Sequence, residues 1–408
     1  MHKMKNIKMK NSYRQIRDLL TRYKWTLLIF IFSTAIIFVH LQYARVSNPV
    51  SKNRMEDIGP KGPVFKINYY DVLLNSYMRG GSTFTGTVLG HRLDTFYLYE
   101  PLWKISRWTY WYGNSMVCRS DRLECRHVEP WKAIPDKSFV DNLNRRPTGS
   151  LELAKNILSK TYDCQFNDYE RTVVEPSLTP TLGGPSWNTT RECMKRKVNY
   201  QICFQRHIPR RCKDSTHKVT KVLRLTTDLL APVLQSRVNL KVIHLFRDPR
   251  AIVNSRITSW YPSYTDKMII ENAKSLCNKM LYDFREGQKV QKLFPDRFRF
   301  IYYEDLSVDI LNKSKLLYNY LGMNTNEKYY PNIMKLSAFK NAGSGATERK
   351  RNTAFWWRNS LKWEIVEKME EICKDVYKEV GYKSFHNKQE YDDLSIPSVV
   401  IPKKYLII

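Results

Sequence analysis

The run Leu240-Lys241-Val242-Ile243-His244-Leu245-Phe246-Arg247-Asp248-Pro249-Arg250 constrains this chain more than any other. Its first seven residues have the β-branched and aromatic content of a buried strand. Pro249 then fits the first turn of a helix that follows at once. A strand passing straight into a helix points to an α/β architecture. Arg247, at the strand's end, offers a planar fork to a phosphate. Ser255 comes about two helical turns later and can face the same anion. Taken alone, the run is also an ordinary strand-turn-helix with a surface Asp-Arg pair.

A second run gives it a partner. Tyr77-Met78-Arg79-Gly80-Gly81-Ser82-Thr83-Phe84-Thr85-Gly86 reads as a glycine- and hydroxyl-rich turn opening a helix, with an arginine at its mouth. Unpaired backbone N–H groups at a helix start, reinforced by the helix dipole, attract anions. Gly80 and Gly81 let the main chain approach a ligand closely, and the Ser82, Thr83 and Thr85 hydroxyls add donors. Gly81 and Gly86 have the glycine spacing of a nucleoside-triphosphate P-loop, but Thr87 and Val88 stand where its Lys and Ser/Thr are needed. The plain alternative is a loop capped by Ser82. A nucleotide with phosphates at both ends of its ribose needs two such places, and the runs supply two.

Together the runs resemble the sulfotransferases, specifically the Golgi carbohydrate 6-O-sulfotransferases that use 3′-phosphoadenosine 5′-phosphosulfate, over most of residues 67–385. The family's 5′-phosphosulfate loop corresponds here to Arg79-Gly80-Gly81-Ser82-Thr83-Phe84, with Gly80 in place of the usual serine. Its 3′-phosphate element corresponds to Arg247-Asp248-Pro249-Arg250-Ala251 and ends in Ser255-Arg256. Three further stretches match in order: Phe96-Tyr97-Leu98-Tyr99-Glu100-Pro101-Leu102-Trp103, Ile301-Tyr302-Tyr303-Glu304-Asp305-Leu306, and Trp357-Arg358. The resemblance implies an α/β, P-loop-like sulfotransferase fold, a central parallel sheet flanked by helices, preceded by one transmembrane helix.

The chain's ends suit that compartment. Residues 1–24, the expected cytoplasmic tail, hold eight Lys or Arg and a single acid, Asp18. Residues 25–41 contain no Lys, Arg, Asp or Glu. Such a run sits at the short end of the roughly 17–25 residues that span a bilayer. The positive flank keeps the tail cytoplasmic, which makes residues 25–41 a signal-anchor with the bulk of the chain luminal: a single-pass type II protein of the Golgi membrane. A cleaved signal peptide is the rival, but Gln42-Tyr43-Ala44-Arg45 offers no small-residue cleavage site. Asn188-Thr189-Thr190 and Asn312-Lys313-Ser314 are glycosylation acceptors. Eight cysteines, Cys118, Cys125, Cys164, Cys193, Cys203, Cys212, Cys277 and Cys373, favour disulfides in an oxidising lumen. The group from Cys164 to Cys212 is expected to staple an insertion, and Cys277 with Cys373 to join two late helices. A zinc site is the rival, without a Cys-x-x-Cys pair to support it.

The net charge is +29, of which the tail supplies only +7. The remaining field attracts anionic partners. Nucleic acid is excluded for a luminal protein, which leaves a charged nucleotide donor and a glycan acceptor, anionic or neutral. Part of the charge is simply a solvated lysine-rich surface. The expected organisation is a stem over 42–66, a luminal catalytic domain over 67–387 with an acceptor-side insertion at 104–220, and a C-terminal tail over 388–408. Strands are expected over 67–74, 95–99, 171–174, 242–246 and 298–303, a long amphipathic helix over 269–293, and a last helix over 360–380 closed by Gly381. A homodimer is compatible with this organisation.

Sulfuryl transfer in line between two oxygens is mainly positioning and charge stabilisation. Arg79 is assigned the electrostatic part, since an arginine does not donate its proton near neutrality. Glu100, in the place of a family carboxylate, is the expected base; its alternative is an ion-pairing glutamate before Pro101. His91 and His244 are weaker candidates, and His244 reads as a core histidine. Donor binding is assigned to Arg79, Gly80, Gly81, Ser82, Thr83, Phe84, Thr85, Arg247, Asp248, Pro249, Arg250 and Ser255. Arg358, with Arg349-Lys350-Arg351 and the Trp356-Trp357 indoles, is expected to close over the nucleotide, unless those tryptophans are core. No metal is required. Two other classes stay in view: a noncatalytic luminal glycan-binding protein with this fold, and a luminal glycosyltransferase. The second often needs an Asp-x-Asp triplet, which the chain lacks.

Overall fold

A computed structural model describes residues 70–106, 108–134, 149–166, 178–260, 265–331, 333, 354–402 and 405. The expected tail, signal-anchor and stem, the strand over 171–174 and the basic triplet 349–351 lie outside the described residues. Among the described residues no helix is long and apolar enough to cross a membrane.

The strands in chain order are β1 (Asp71–Asn75), β2 (Thr95–Tyr99), β3 (Thr109–Tyr112), β4 (Met116–Arg119), β5 (Cys125–His127), β6 (His217–Val222), β7 (Leu240–Phe246) and β8 (Phe298–Tyr302). Five of them make one sheet in the order β2-β6-β1-β7-β8, every neighbour parallel. Alternation along the strands sends Val72, Leu74, Ile243, Leu245 and Ile301 to one face. Leu73, Val242, Phe246, Phe300 and Tyr302 go to the other. Both faces are buried, which is why β1 and β7 read as continuous apolar runs and not as alternating ones. The chain leaves β1 for the β2 edge and later returns to lay β7 on β1's other side. The order therefore reverses at β1, and the crevice beyond its carboxyl end is where open α/β sheets bind ligands.

Both key runs fold as expected at this point. β1 is followed by α1 (Ser82–Gly90). Between the sheet's two halves come α2 (Leu151–Tyr162), α3 (Asn188–Lys195) and α4 (Tyr200–Lys213). β7 runs into α5 (Pro249–Trp260), and α6 (Asp266–Leu293) begins three residues before the expected start. β8 is followed by α7 (Tyr303–Val308) and α8 (Ile310–Leu321). The last expected helix is broken: α9 (Trp363–Ile372) gives way to a short turn and a π-helical turn, Tyr377–Gly381.

Three expectations change. β6 was hidden in the span 104–220, whose end falls inside this central strand; Lys218 and Lys221 mask its period. The insertion proper carries the antiparallel β3-β4-β5 sheet and helices α2 to α4. Residues 388–408 are no separate tail where they are described. α10 (Lys388–Asp392) puts Tyr391 in the core, and Tyr405, 1% exposed, packs on Phe284, Phe300 and Tyr302.

All eight cysteines pair: Cys118–Cys125, Cys164–Cys212, Cys193–Cys203 and Cys277–Cys373. Cys164–Cys212 ties α2's end to α4 within the expected group, whose pairing the sequence left open, and Cys277–Cys373 ties α6 to the end of α9, the pair expected from the sequence.

Candidate active site

The turn between β1 and α1 is built by backbone that few residues adopt. Gly81, the N-cap of α1, has φ +85°, and Arg79 has φ +69°. A Cβ on Gly81 would lie 2.2 Å from the Tyr303 ring, and one on Gly80 would lie 2.7 Å from Ser76 Oγ. A side chain at 80 would crowd Ser76 and the Tyr77 carbonyl, which glycine avoids. The first N–H groups of α1 have no acceptor within the helix, so the turn keeps the anion-binding character read from its residues.

The two runs meet. Arg79 Nε donates to Ser255 Oγ at 3.0 Å, and its Nη2 donates to Ser259 Oγ at 2.7 Å. Arg247 Nη1 donates to the Arg79 carbonyl at 3.0 Å. Burial lowers the Arg79 pKa, the neighbouring Arg247 lowers it further, and Tyr99 opposes both. Two guanidinium groups that repel each other beside a helix start are a site prepared for a multiply charged anion. Ser259 was not foreseen; it lies one helical turn after Ser255, on the same face.

Other assigned residues divide. Thr83 is exposed at the mouth, whereas Thr85 is buried and its Oγ1 donates to the Gly81 carbonyl at 3.3 Å. Phe84 is buried edge-on against Tyr303. Pro249 opens α5 as expected. Asp248 and Arg250 are fully buried and bound to each other at 2.9 Å, with Glu370 on the arginine's other side at 2.8 Å. Their charges clamp the turn from within and do not face the mouth, which corrects their assignment as ligand contacts. Arg256, at 3% exposure, donates to the Met78 carbonyl and to Asn272, bracing the first turn from behind.

Arg358 also departs from expectation. Its guanidinium donates to the carbonyls of Glu390, Tyr391, Asp393 and Ile396, anchoring the C-terminal segment. Trp357 is core at 2% exposure, so the core alternative holds for it. Trp356 is 51% exposed. His244 is the core histidine anticipated: Tyr77 Oη lies 2.9 Å from its Nε2, Asn75 Nδ2 lies 3.2 Å from its Nδ1, and burial pushes it down to about 4. The His91 ring meets the Leu182 carbonyl, and burial lowers its pKa.

Glu100 directly follows β2, with φ +42° and 7% exposure. Its Oε1 lies 2.9 Å from Lys221 Nζ and its Oε2 3.3 Å from Arg224 Nη2. Burial alone would raise this carboxyl, but Lys221 and Arg224 outweigh it and hold it below its usual range. Lys221 is the residue the sequence reading missed. It is 1% exposed, donates to Thr83 Oγ1 at 3.1 Å and lies 3.8 Å from the Tyr99 ring centroid, joining Glu100 to the anion turn. The available signal was weak, because β6 also carries His217, Lys218 and Thr220.

A cradle for an anion at the carboxyl end of β1, an arginine after β7 that reaches it, and a carboxylate held by two cations define a group-transfer site for a phosphate-bearing donor. The chain belongs to the sulfotransferase family, whose sulfotransferase domain matches residues 70–381. Proteins it resembles along most of its length include carbohydrate sulfotransferases. It is 22% identical over 381 residues to carbohydrate sulfotransferase 1 of Danio rerio, covering 82% of this chain and 83% of that one. It is 25% identical over 336 residues to carbohydrate sulfotransferase 3 of Tetronarce californica, covering 76% and 72%. It is likewise 25% identical over 352 residues to carbohydrate sulfotransferase 4 of Mus musculus, covering 80% and 85%. The solved mouse sulfotransferase SULT7A1 complexed with PAP superposes with a TM-score of 0.35 and 12% identity over 76% of this chain and 84% of that one.

Proposed function

We propose that this sulfotransferase moves a sulfuryl group from 3′-phosphoadenosine 5′-phosphosulfate to a hydroxyl of a glycan, the 6-hydroxyl of a hexose or N-acetylhexosamine. The observation that carries this is the meeting of the two anion-binding turns, with Arg79 hydrogen-bonded to Ser255 and Arg247 to the Arg79 carbonyl. The donor's two charged ends fit that pair of turns. It would be held by the α1 backbone and Arg79 at the 5′ side and by Arg247 and Ser255 at the 3′ side. The donor supplies a sulfuryl group on a good leaving group. Arg79 and Lys221 balance negative charge at the mouth, and Glu100 accepts the acceptor's hydroxyl proton. Detergent-solubilised full-length protein, given sulfur-labelled donor and a panel of galactose-, N-acetylglucosamine- and N-acetylgalactosamine-terminated or repeating glycans, transfers label to at least one class, with sulfate on carbon 6 by mass spectrometry. Binding of adenosine 3′,5′-bisphosphate without transfer to any member would favour the noncatalytic reading.

The acceptor is proposed to be a polyanionic glycan. Residues 191–213 carry eight Lys or Arg and one acid, Glu192. Two disulfides stiffen the α3–α4 pair that carries them. Lys195 pairs with Glu192 and Arg210 lies against Asp214, while Lys213 at the end of α4 and the three exposed cations Arg196, Lys197 and Arg206 face solvent. Reversing those three to Glu is expected to raise the KM for a long sulfated or uronate-bearing acceptor about tenfold at low salt, since steering by such a field is strong and screened by ions. The KM for a neutral disaccharide acceptor should not move; an equal rise for both would remove the polyanion assignment.

The same reading places the protein in the Golgi membrane, single-pass, with residues 25–41 as its anchor and the catalytic part luminal. Asn188 and Asn312 are exposed at the starts of helices while their sequon hydroxyls, Thr190 and Ser314, are buried. Both asparagines are proposed as glycan carriers.

A further inference from the structure

The residues that follow β8 take no part in the roles assigned so far, yet they touch both anion-binding turns. β7 and β8 run side by side with Phe246 opposite Tyr302. Two residues further on, Glu304 therefore faces Asp248, and its Oε1 accepts the Asp248 backbone N–H at 2.9 Å. Its neighbour Tyr303 points the other way. The ring lies 4.7 Å from the Arg247 guanidinium carbon, and it sits so close to Gly81 that no side chain fits there. One dipeptide thus supports the first turn with a ring, the arginine with that ring's face, and the second turn with a carboxylate.

The Glu304 side chain is an expensive thing to bury for packing alone. It is 2% exposed, and its Oε2, equally buried, meets no hydrogen-bond donor among the described residues. A carboxylate left half satisfied in the interior costs free energy. Burial pushes this carboxyl up to about 7; Asp248 adds to the rise, while its own bond to the Asp248 amide and the charge of Arg247 oppose it. A neutral amide of the same shape would meet the same demand for an acceptor.

We infer that Glu304 is a positioning residue for donor binding: it fixes the Arg247–Asp248 turn through the Asp248 amide, so that Arg247 lies over Tyr303 and beside the Arg79 turn. The inference rests on the donor reading given above. It predicts a defect confined to the nucleotide. Glu304→Asp, which withdraws the oxygen from the Asp248 amide, and Glu304→Ala are expected to raise the donor KM and the Kd for adenosine 3′,5′-bisphosphate about tenfold, the scale of one lost hydrogen bond to a buried donor. The acceptor KM should stay within about twofold in both, a split that mere loosening of the core would not give. Glu304→Gln keeps the acceptor oxygen and should restore both constants to wild-type values.

The measurements are initial rates over both substrates and calorimetric titration of the bisphosphate into full-length protein, with thermal unfolding as the check on folding. If Glu304→Ala does not fold, Glu304→Asp against Glu304→Gln decides. Unchanged bisphosphate affinity in a folded Glu304→Asp, or an equal loss in Glu304→Gln, overturns the inference. Failure of the wild-type protein to bind the bisphosphate at all overturns the donor reading instead.

Discussion

Arg247→Ala is expected to lower transfer about 10²–10³-fold, the equivalent of losing about 3–4 kcal/mol of charge-assisted hydrogen bonding to a phosphate. Arg247 is half-buried, with its Nη1 on the Arg79 carbonyl and its plane over Tyr303, so its side chain is held before any ligand arrives. The loss should appear in donor KM and in bisphosphate affinity, with acceptor KM little changed. Arg247→Lys restores the charge but not the fork, and should recover only part of the affinity. Wild-type transfer by a folded Arg247→Ala protein would remove the second anion turn from the site.

Glu100→Gln should lower kcat about 10²–10⁴-fold with bisphosphate affinity kept, the usual range for loss of a general base. Glu100→Ala should also cost on the order of 3–5 kcal/mol of stability, because Lys221 and Arg224 would remain as buried cations without their carboxylate. Glu100→Gln, equally uncharged but still an acceptor for both cations, should share part of that stability loss; a folded Glu100→Gln protein with normal kcat leaves Glu100 as an ion-pairing residue. The depressed Glu100 pKa adds a sign. Its carboxylate stays ionised down to below the ordinary glutamate value of about 4.3, so the acid limb of the kcat profile should fall below that pH. The stability it contributes is present above the unfolded-state pKa and is lost as pH falls through the folded value. An acid limb near 6 would point to a different base.

Much of this was readable from short segments. β1 and β7 announce themselves because a strand buried on both faces must be apolar throughout, and each is followed within a few residues by helix-starting chemistry. The long helix α6 shows its period over 28 residues, long enough to average out its polar positions. β6 was missed because His217, Lys218, Thr220 and Lys221 interrupt its apolar pattern, and Lys221 is the one proposed to serve the site. Arg250 and Arg358 were overread for a related reason. An arginine's five donors suit a phosphate or a ring of carbonyls equally well, and residue type does not say which lies within reach. Glu304 stood in a matched stretch without a role, since the groove between two parallel strands that gives it one is made by residues far apart in the chain.

Local chemistry, then, was written in the linear order of residues: glycines where a Cβ cannot fit, arginines at the ends of strands, apolar runs for the sheet, cysteines in even number. Which arginines stay at the mouth and which are consumed by their own protein depends on chain segments that meet only after folding. Arg247 stays at the mouth beside Arg79, while Arg250 is enclosed by Asp248 and Glu370, and Arg358 by the returning C-terminal segment. The reason is that a charge's partner is set by distance in space, and no spacing along the chain encodes the approach of residues 79, 221, 247 and 304 to one end of a sheet.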